Sequence, residues 1–252
     1  MKPRKRFGQH FLHDPGVLKR IVEAVAPARG DCVVEIGPGE GALTRPLLER
    51  LDRLTAIEID RDLAARLSQE FSTEKLSVVC ADALEYDFSV FPSGMRIVGN
   101  LPYNISTPVL FHLARHAERV RDMHFMLQKE VVDRMVAAPS TPDYGRLSVM
   151  LQVRFEMKKL FNVGPGAFRP PPKVESAVVR LVPLKEKLQC DAAQLERIVR
   201  EAFSARRKTL RNALPLGPSD YKELGIDPGL RPENLAPLEF VRIARQVSAS
   251  AP

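Results

Sequence analysis

Apolar residues along the chain fall into two alternating patterns. Short continuous runs predict buried strands, and recurrences every three or four residues predict helices. The runs 31–36 (Asp-Cys-Val-Val-Glu-Ile), Leu54 to Asp60, Leu76 to Cys80, Ile97-Val98-Gly99 and Asp122 to Leu127 read as strands. Helices are expected from about Ala42 to Leu51, from Ser106 or Thr107 to Arg115, and from Lys129 to about Ala138. Ahead of them, Val17, Leu18, Ile21, Val22 and Val25 share one helical face, with Asp14 as N-cap and Pro15 in the first turn. Strands alternating with helices over 31–138 predict a parallel, doubly wound α/β sheet. Past Pro142 the pattern gives a short helix near 145–153, strands at 157–163 and 176–182, and a proline-crowded loop between those strands. Residues 183–189 read as a linker. Asp191 with Gln194 resembles a capping box ahead of a face made by Leu195, Ile198, Val199, Ala202 and Phe203. A last helix runs from Pro237 to about Val247. The expected organisation is an α/β domain over 1–184 and a small all-helical domain over 190–252.

In doubly wound sheets the ligand lies at the carboxyl ends of the strands, and the candidate chemistry collects there. Gly37-Pro38-Gly39-Glu40-Gly41-Ala42 follows the first strand. Gly37, Gly39 and Ala42 fit the dinucleotide pattern, whereas Gly37, Gly39 and Gly41 fit the methyltransferase pattern, so the loop alone indicates only a nucleoside-type cofactor. Glu58 ends the second strand at the offset where an acid takes ribose hydroxyls; Asp60 is its rival on the same face. Asp82 follows the third strand and either accepts from an adenine amine or caps the next segment. After the fourth comes Asn100-Leu101-Pro102-Tyr103. It combines a side-chain amide, a carbonyl free of secondary structure, a stiffening proline and a flat ring, a set suited to a planar base with an exocyclic amine. Taken alone it is equally a strand-ending turn with a packed Tyr. The alignment of four candidates along one edge argues for a site. Phe168, at the tip of the proline-rich loop, is a core plug or a stacking platform. His124 reads as a core histidine, and the remaining histidines have no metal-ligand spacing.

Charge adds a partner. The 252 residues carry a formal net charge of +7, which points to an anionic surface, nucleic acid before membrane. The cations gather in Lys2-Pro3-Arg4-Lys5-Arg6, either a solvated tail or an arm folding over a ligand, and in Arg206, Arg207, Lys208 and Arg211 at a helix end. The three cysteines are widely spaced, which argues against a disulfide framework and fits a reducing cytosol. No run approaches a membrane span, and no export signal follows the basic start.

Arg6-Phe7-Gly8-Gln9-His10-Phe11-Leu12, Glu35 to Thr44, Glu58-Ile59-Asp60, Asn100 to Asn104 and Phe168 to Val174 occur in the order found in the ribosomal RNA adenine dimethylase family, which the chain resembles from about residue 4 to 245. Asp122 to Val131 and Ala205 to Asn212 resemble its bacterial small-subunit branch more than the large-subunit antibiotic-resistance type. A DNA adenine methyltransferase would use an Asn/Asp-Pro-Pro-Tyr-like turn, but the C-terminal half lends that reading no support. A nicotinamide-dependent dehydrogenase would leave Asn100 and Phe168 idle. The resemblance implies a Rossmann-like class I methyltransferase sheet, mostly parallel with one antiparallel strand, and S-adenosylmethionine as methyl donor. The implied acceptor is a pair of adjacent adenosines near the 3′ end of 16S rRNA in an assembling 30S subunit. A cytoplasmic monomer is expected; the reading from a different class is a binding protein that gates ribosome assembly with methylation secondary, and the family suggests that both roles can coexist. On this pattern His10, Leu12, Gly37, Gly39, Glu58, Asp82 and Asn100 hold the cofactor. Asn100, Leu101, Tyr103 and Phe168 hold the target adenine, and Lys5, Arg6, Arg206, Arg207, Lys208 and Arg211 meet the RNA. His10 stands where many relatives carry Asn.

Overall fold

The computed structural model describes residues 10–186, 190–204 and 207–249. They divide into two compact units. The first runs through Val132 and takes up Met157–Pro183; the second comprises Asp133–Glu156 and the residues from Leu184 onward. The second unit therefore gathers helical residues from 133–156 as well as those after 184.

In the first unit, β1 (Phe11–Leu12) precedes helix α1 (Pro15–Val25). Asp14 caps α1, its carboxylate accepting from the Val17 amide at 2.9 Å. Then follow β2 (Val33–Ile36), α2 (Thr44–Leu48), β3 (Leu54–Glu58), α3 (Arg61–Glu70), β4 (Leu76–Cys80), β5 (Met95–Asn100), α4 (Ser106–Ala114), β6 (Val120–Gln128) and α5 (Lys129–Val136), the last reaching into the second unit. After α6 (Arg146–Gln152), which belongs to the second unit, come β7 (Phe155–Val163), β8 (Phe168–Arg169) and β9 (Ser176–Pro183). Seven strands form one sheet in the order β4-β3-β2-β5-β6-β9-β7. β2, β3, β4, β5 and β6 pair in parallel, and β9 runs against β6. The interiors of β2, β3, β5 and β6 are buried on both faces, which is why they read as continuous apolar runs.

Gly99 is fixed by close approach: a Cβ there would lie 2.5 Å from the Ile36 carbonyl oxygen of the adjacent strand. At the amino end of the same strand, Arg96 is 4% exposed. Its Nε and Nη2 donate to Asp122 at 3.0 and 2.9 Å, and its Nη1 donates to Asp31 at 2.8 Å. Burial pushes both carboxyls up, but hydrogen bonds, those from Arg96 among them, and its charge outweigh this and hold them below the usual carboxylate range. His124 is buried as expected, its Nδ1 3.5 Å from Asp122.

The sheet does not account for β1. It pairs antiparallel with β8, Leu12 opposite Phe168 and Phe11 opposite Arg169. The His13 amide donates to the Ala167 carbonyl at 2.9 Å, and Leu12 and Phe168 join one apolar cluster.

The second unit contains α7 (Ala192–Ser204), α8 (Leu210–Ala213), α9 (Pro218–Leu224) and α10 (Pro237–Ala249). The Asp191 carboxylate accepts from the Gln194 amide at 2.7 Å, as the capping pattern predicts. Buried Tyr144 donates its hydroxyl proton to the Leu235 carbonyl at 2.8 Å, and Phe203 stacks on Phe240 at 5.7 Å. Arg207, Lys208 and Arg211 are exposed. Lys5, Arg6 and Arg206 lie outside the described residues. Among the described residues no helix is long and apolar enough to cross a membrane, and no group of three or more acidic, His or Cys side chains is arranged for a metal.

Candidate active site

One cavity opens at the carboxyl ends of β2 to β5 in the first unit. Its floor is the loop after β2, where Gly37, Gly39 and Gly41 have φ of 68°, 58° and 79°. All three occupy the left-handed region that favours glycine. Gly41 thus takes part in the turn, as the methyltransferase pattern requires.

Glu58, at the end of β3, lines the cavity and is 5% exposed. Its Oε2 accepts from the Gly39 amide at 3.1 Å and its Oε1 from the Asp60 amide at 2.9 Å, tying the strand end to the glycine loop. Burial raises its pKa, and these amides offset part of the rise. Asp60 instead caps α3, accepting from the Asp62 amide at 3.0 Å, and does not border the cavity. Asp82 caps the next segment, its Oδ1 accepting from the Leu84 amide at 2.9 Å, and also lines the cavity.

At the end of β5 the Asn100 amide nitrogen donates to the His10 carbonyl at 3.1 Å. A carbonyl can only accept, so the orientation of the amide is fixed and its oxygen is the atom left to receive a proton donor. The Tyr103 hydroxyl and Ser176 Oγ are 2.8 Å apart, and burial raises the pKa of this phenol. Its ring is stacked on the His10 imidazole, centroids 5.4 Å apart at 27°. His10, Leu12, Gly37, Gly39, Glu58, Asp82, Asn100, Leu101 and Tyr103 thus all border one space. Phe168 does not: it is 2% exposed and packed in the apolar cluster with Leu12. Pairing of β8 with β1 turns its side chain into the core, so this conformation has the core-plug geometry rather than a stacking platform.

Sequence reasoning misses Glu35 as a site residue, although its signal is present: an acid inside an apolar strand directly ahead of a glycine loop. It lines the cavity, is 1% exposed, and accepts from the Thr44 hydroxyl at 2.7 Å. Burial pushes its pKa up to about 7; the Thr44 hydrogen bond and Arg45 pull down, and the Glu58 charge pushes further up.

The lining has a marked charge asymmetry. Four acidic side chains, those of Glu35, Glu40, Glu58 and Asp82, border it, together with no Lys or Arg among the described residues. Ile59, 44% exposed, adds an apolar surface. A dinucleotide would bring two phosphates to this wall without a countercharge. A nucleoside bearing a positive charge suits it, and S-adenosylmethionine is such a molecule.

The sheet order, the glycine loop and the acid-lined edge define a class I methyltransferase. Comparison with known proteins narrows the class: the chain belongs to the ribosomal RNA adenine dimethylase family, which it matches over residues 1–248. It is 58% identical over 255 residues to "Ribosomal RNA small subunit methyltransferase A" of Aromatoleum aromaticum, covering 100% of this chain and 96% of that protein. It is 58% identical over 251 residues to the protein of the same name from Bordetella pertussis, covering 98% and 95%. Among solved structures, a dimethyladenosine transferase from Plasmodium falciparum superposes with a TM-score of 0.83 at 27% identity, covering 95% of this chain and 98% of that one. The 23S rRNA methyltransferase ErmE superposes at 0.72 with 29% identity, covering 94% and 99%.

Proposed function

We propose that this enzyme transfers methyl groups from S-adenosylmethionine to the exocyclic amines of two adjacent adenosines in the 3′-terminal hairpin loop of 16S rRNA, giving dimethyladenosines during assembly of the small subunit. The observation that carries the reading is the acid-lined cavity, bordered by no Lys or Arg among the described residues, that ends at the oriented amide of Asn100. Identity near 58% to proteins named for the small subunit favours this acceptor over the large-subunit one. The cytoplasm is the compartment this substrate implies, and the chain acts as a monomer.

Glu58 accepts from the ribose hydroxyls and Asp82 from the cofactor adenine. Gly37 and Gly39 let the backbone approach the methionine part, and His10 and Leu12 close over it. When bound, the cofactor supplies an electrophilic methyl on a positively charged sulfur. The work left to the protein is to aim a weak nucleophile, because the adenine lone pair is delocalised into the ring. Asn100 Oδ1 and the Leu101 carbonyl accept the two amine hydrogens and turn the lone pair toward the methyl. Tyr103 holds the ring plane, and Phe168 completes the sandwich if the segment from 168 to 173 moves. Asn100 does not take the proton, since an amide does not ionise in this range; the proton leaves to water after transfer. Positioning of this kind is worth up to about 7–11 kcal/mol. The base must be unstacked to reach the turn. The exposed Arg207, Lys208 and Arg211, with Arg206, Lys5 and Arg6, bind RNA phosphates.

The test is Asn100→Ala. Cofactor affinity should stay within a few-fold while methyl transfer to immature 30S particles is largely abolished. Turnover at the wild-type rate would refute the mechanism.

A further inference from the structure

His10 occupies a place that the proposed acceptor needs. Its backbone carbonyl takes the Asn100 amide, its ring covers a face of Tyr103, and its Nδ1 donates to the Pro170 carbonyl at 2.7 Å. These interactions tie one residue to the two groups assigned to the base and to the loop beyond Phe168. Pairing of Phe11 with Arg169 and of Leu12 with Phe168 anchors the next two residues. His10 and Tyr103 border the same cavity, and the two rings are stacked there.

We infer that the His10 imidazole is a stand-in for the target base, a specificity-determining residue that an incoming adenine must displace from Tyr103. The inference rests on the reading that the Asn100–Tyr103 turn receives the acceptor. An aromatic pair is stabilised beyond its buried area, and the Pro170 hydrogen bond adds to that, so entry of a base carries an energetic threshold. A loosely held adenine gains only its own stack in exchange and is rejected. An adenosine presented by a particle that binds the protein at many other points crosses the threshold. An asparagine at this position has no ring to stack, so the filter belongs to chains with His10. Withdrawal of the ring also releases the Pro170 carbonyl, while the pairing of Leu12 with Phe168 still holds the segment before it.

The test uses a short RNA hairpin whose loop carries 2-aminopurine at one target position, with the full-length protein and S-adenosylhomocysteine. His10→Ala removes the ring and keeps the carbonyl that fixes Asn100. It should tighten hairpin binding roughly two- to twelvefold, the range of an aromatic pair, and deepen quenching of the aminopurine on Tyr103. His10→Phe retains a stacking ring but loses the Pro170 hydrogen bond and should fall between wild type and His10→Ala. In the Tyr103→Ala background, His10→Ala should have no further effect. Unchanged or weaker hairpin binding by His10→Ala would overturn the inference and make the ring a wall of the pocket. If Tyr103→Ala alone leaves hairpin binding and methyl transfer untouched, the acceptor reading itself fails.

Discussion

Glu35 offers a perturbation whose size follows from its surroundings. In the folded chain its carboxyl is pushed to about 7 from an ordinary 4.5, first by burial and then by the neighbouring charge of Glu58. Between those two values the folded protein keeps a proton that the unfolded chain has lost. Folding stability contributed by this group is therefore full below about pH 4.5 and declines as pH rises through 7. At about 1.4 kcal/mol for each tenfold change, the loss is about 3 kcal/mol. A positively charged ligand in the cavity favours the carboxylate and reverses the cost. Affinity for S-adenosylmethionine should rise about tenfold from pH 6 to pH 8 if the bound carboxyl returns to its ordinary range. Glu35→Gln removes the titration. Melting profiles from pH 5 to 8, with calorimetric titration of the cofactor at both ends, separate the two consequences. The variant should lose less stability with rising pH and show a flatter affinity profile. The cofactor's own α-amino group titrates near pH 7.7–8.0 and does so equally in both proteins, so only the difference between them counts. Identical pH profiles for wild type and Glu35→Gln would refute this reasoning.

Three other perturbations follow from the geometry. Arg96→Leu leaves Asp31 and Asp122 without the guanidinium that bridges them and should cost about 3–5 kcal/mol in chemical denaturation; a cost under about 1 kcal/mol would show the network to be dispensable. Phe168→Ala should cost about 3–5 kcal/mol of stability as a core truncation, and kinetics at a temperature where the variant stays folded show whether acceptor engagement also weakens. Unchanged engagement would leave Phe168 with packing alone. Charge reversal of Arg206, Arg207 and Lys208 should weaken binding to 30S particles and lower the slope of log affinity against log salt by about 0.7–0.9 for each phosphate that is no longer neutralised; an unchanged slope would make the cluster solvated surface.

Much of the first unit is legible in the sequence, because parallel strands buried on both faces announce themselves as apolar runs and the ligand edge follows from topology. Glu58 is readable as a strand-end acid; Asp60 separates from it only through its capping bond to Asp62. The Leu12–Phe168 pairing is not legible. Two-residue strands carry no periodicity, and nothing local specifies a register between segments so far apart in the chain. Phe168 stays between two roles for the same reason, since its burial depends on that pairing. The stack of His10 on Tyr103 is likewise a tertiary fact, invisible until the arm is placed. Glu35 is within reach of sequence reasoning: an acid in an otherwise apolar strand needs a partner or a ligand. The second unit's share of residues 133–156 is hidden because its helices are short and are separated from the rest of the unit by two strands of the sheet.

The central claim is that the chain is a cofactor-dependent adenine dimethylase acting on the small subunit. Transfer of labelled methyl groups from S-adenosylmethionine to 30S particles lacking the modification, with nucleoside analysis of the product, tests this directly; naked rRNA, 50S subunits and DNA serve as controls. The expected result is label in N6,N6-dimethyladenosine from 16S rRNA of the 30S particles, abolished in Asn100→Ala. Label that appears instead in 50S rRNA or DNA would contradict the claim, and label that survives in Asn100→Ala at the wild-type rate would refute the role given to Asn100.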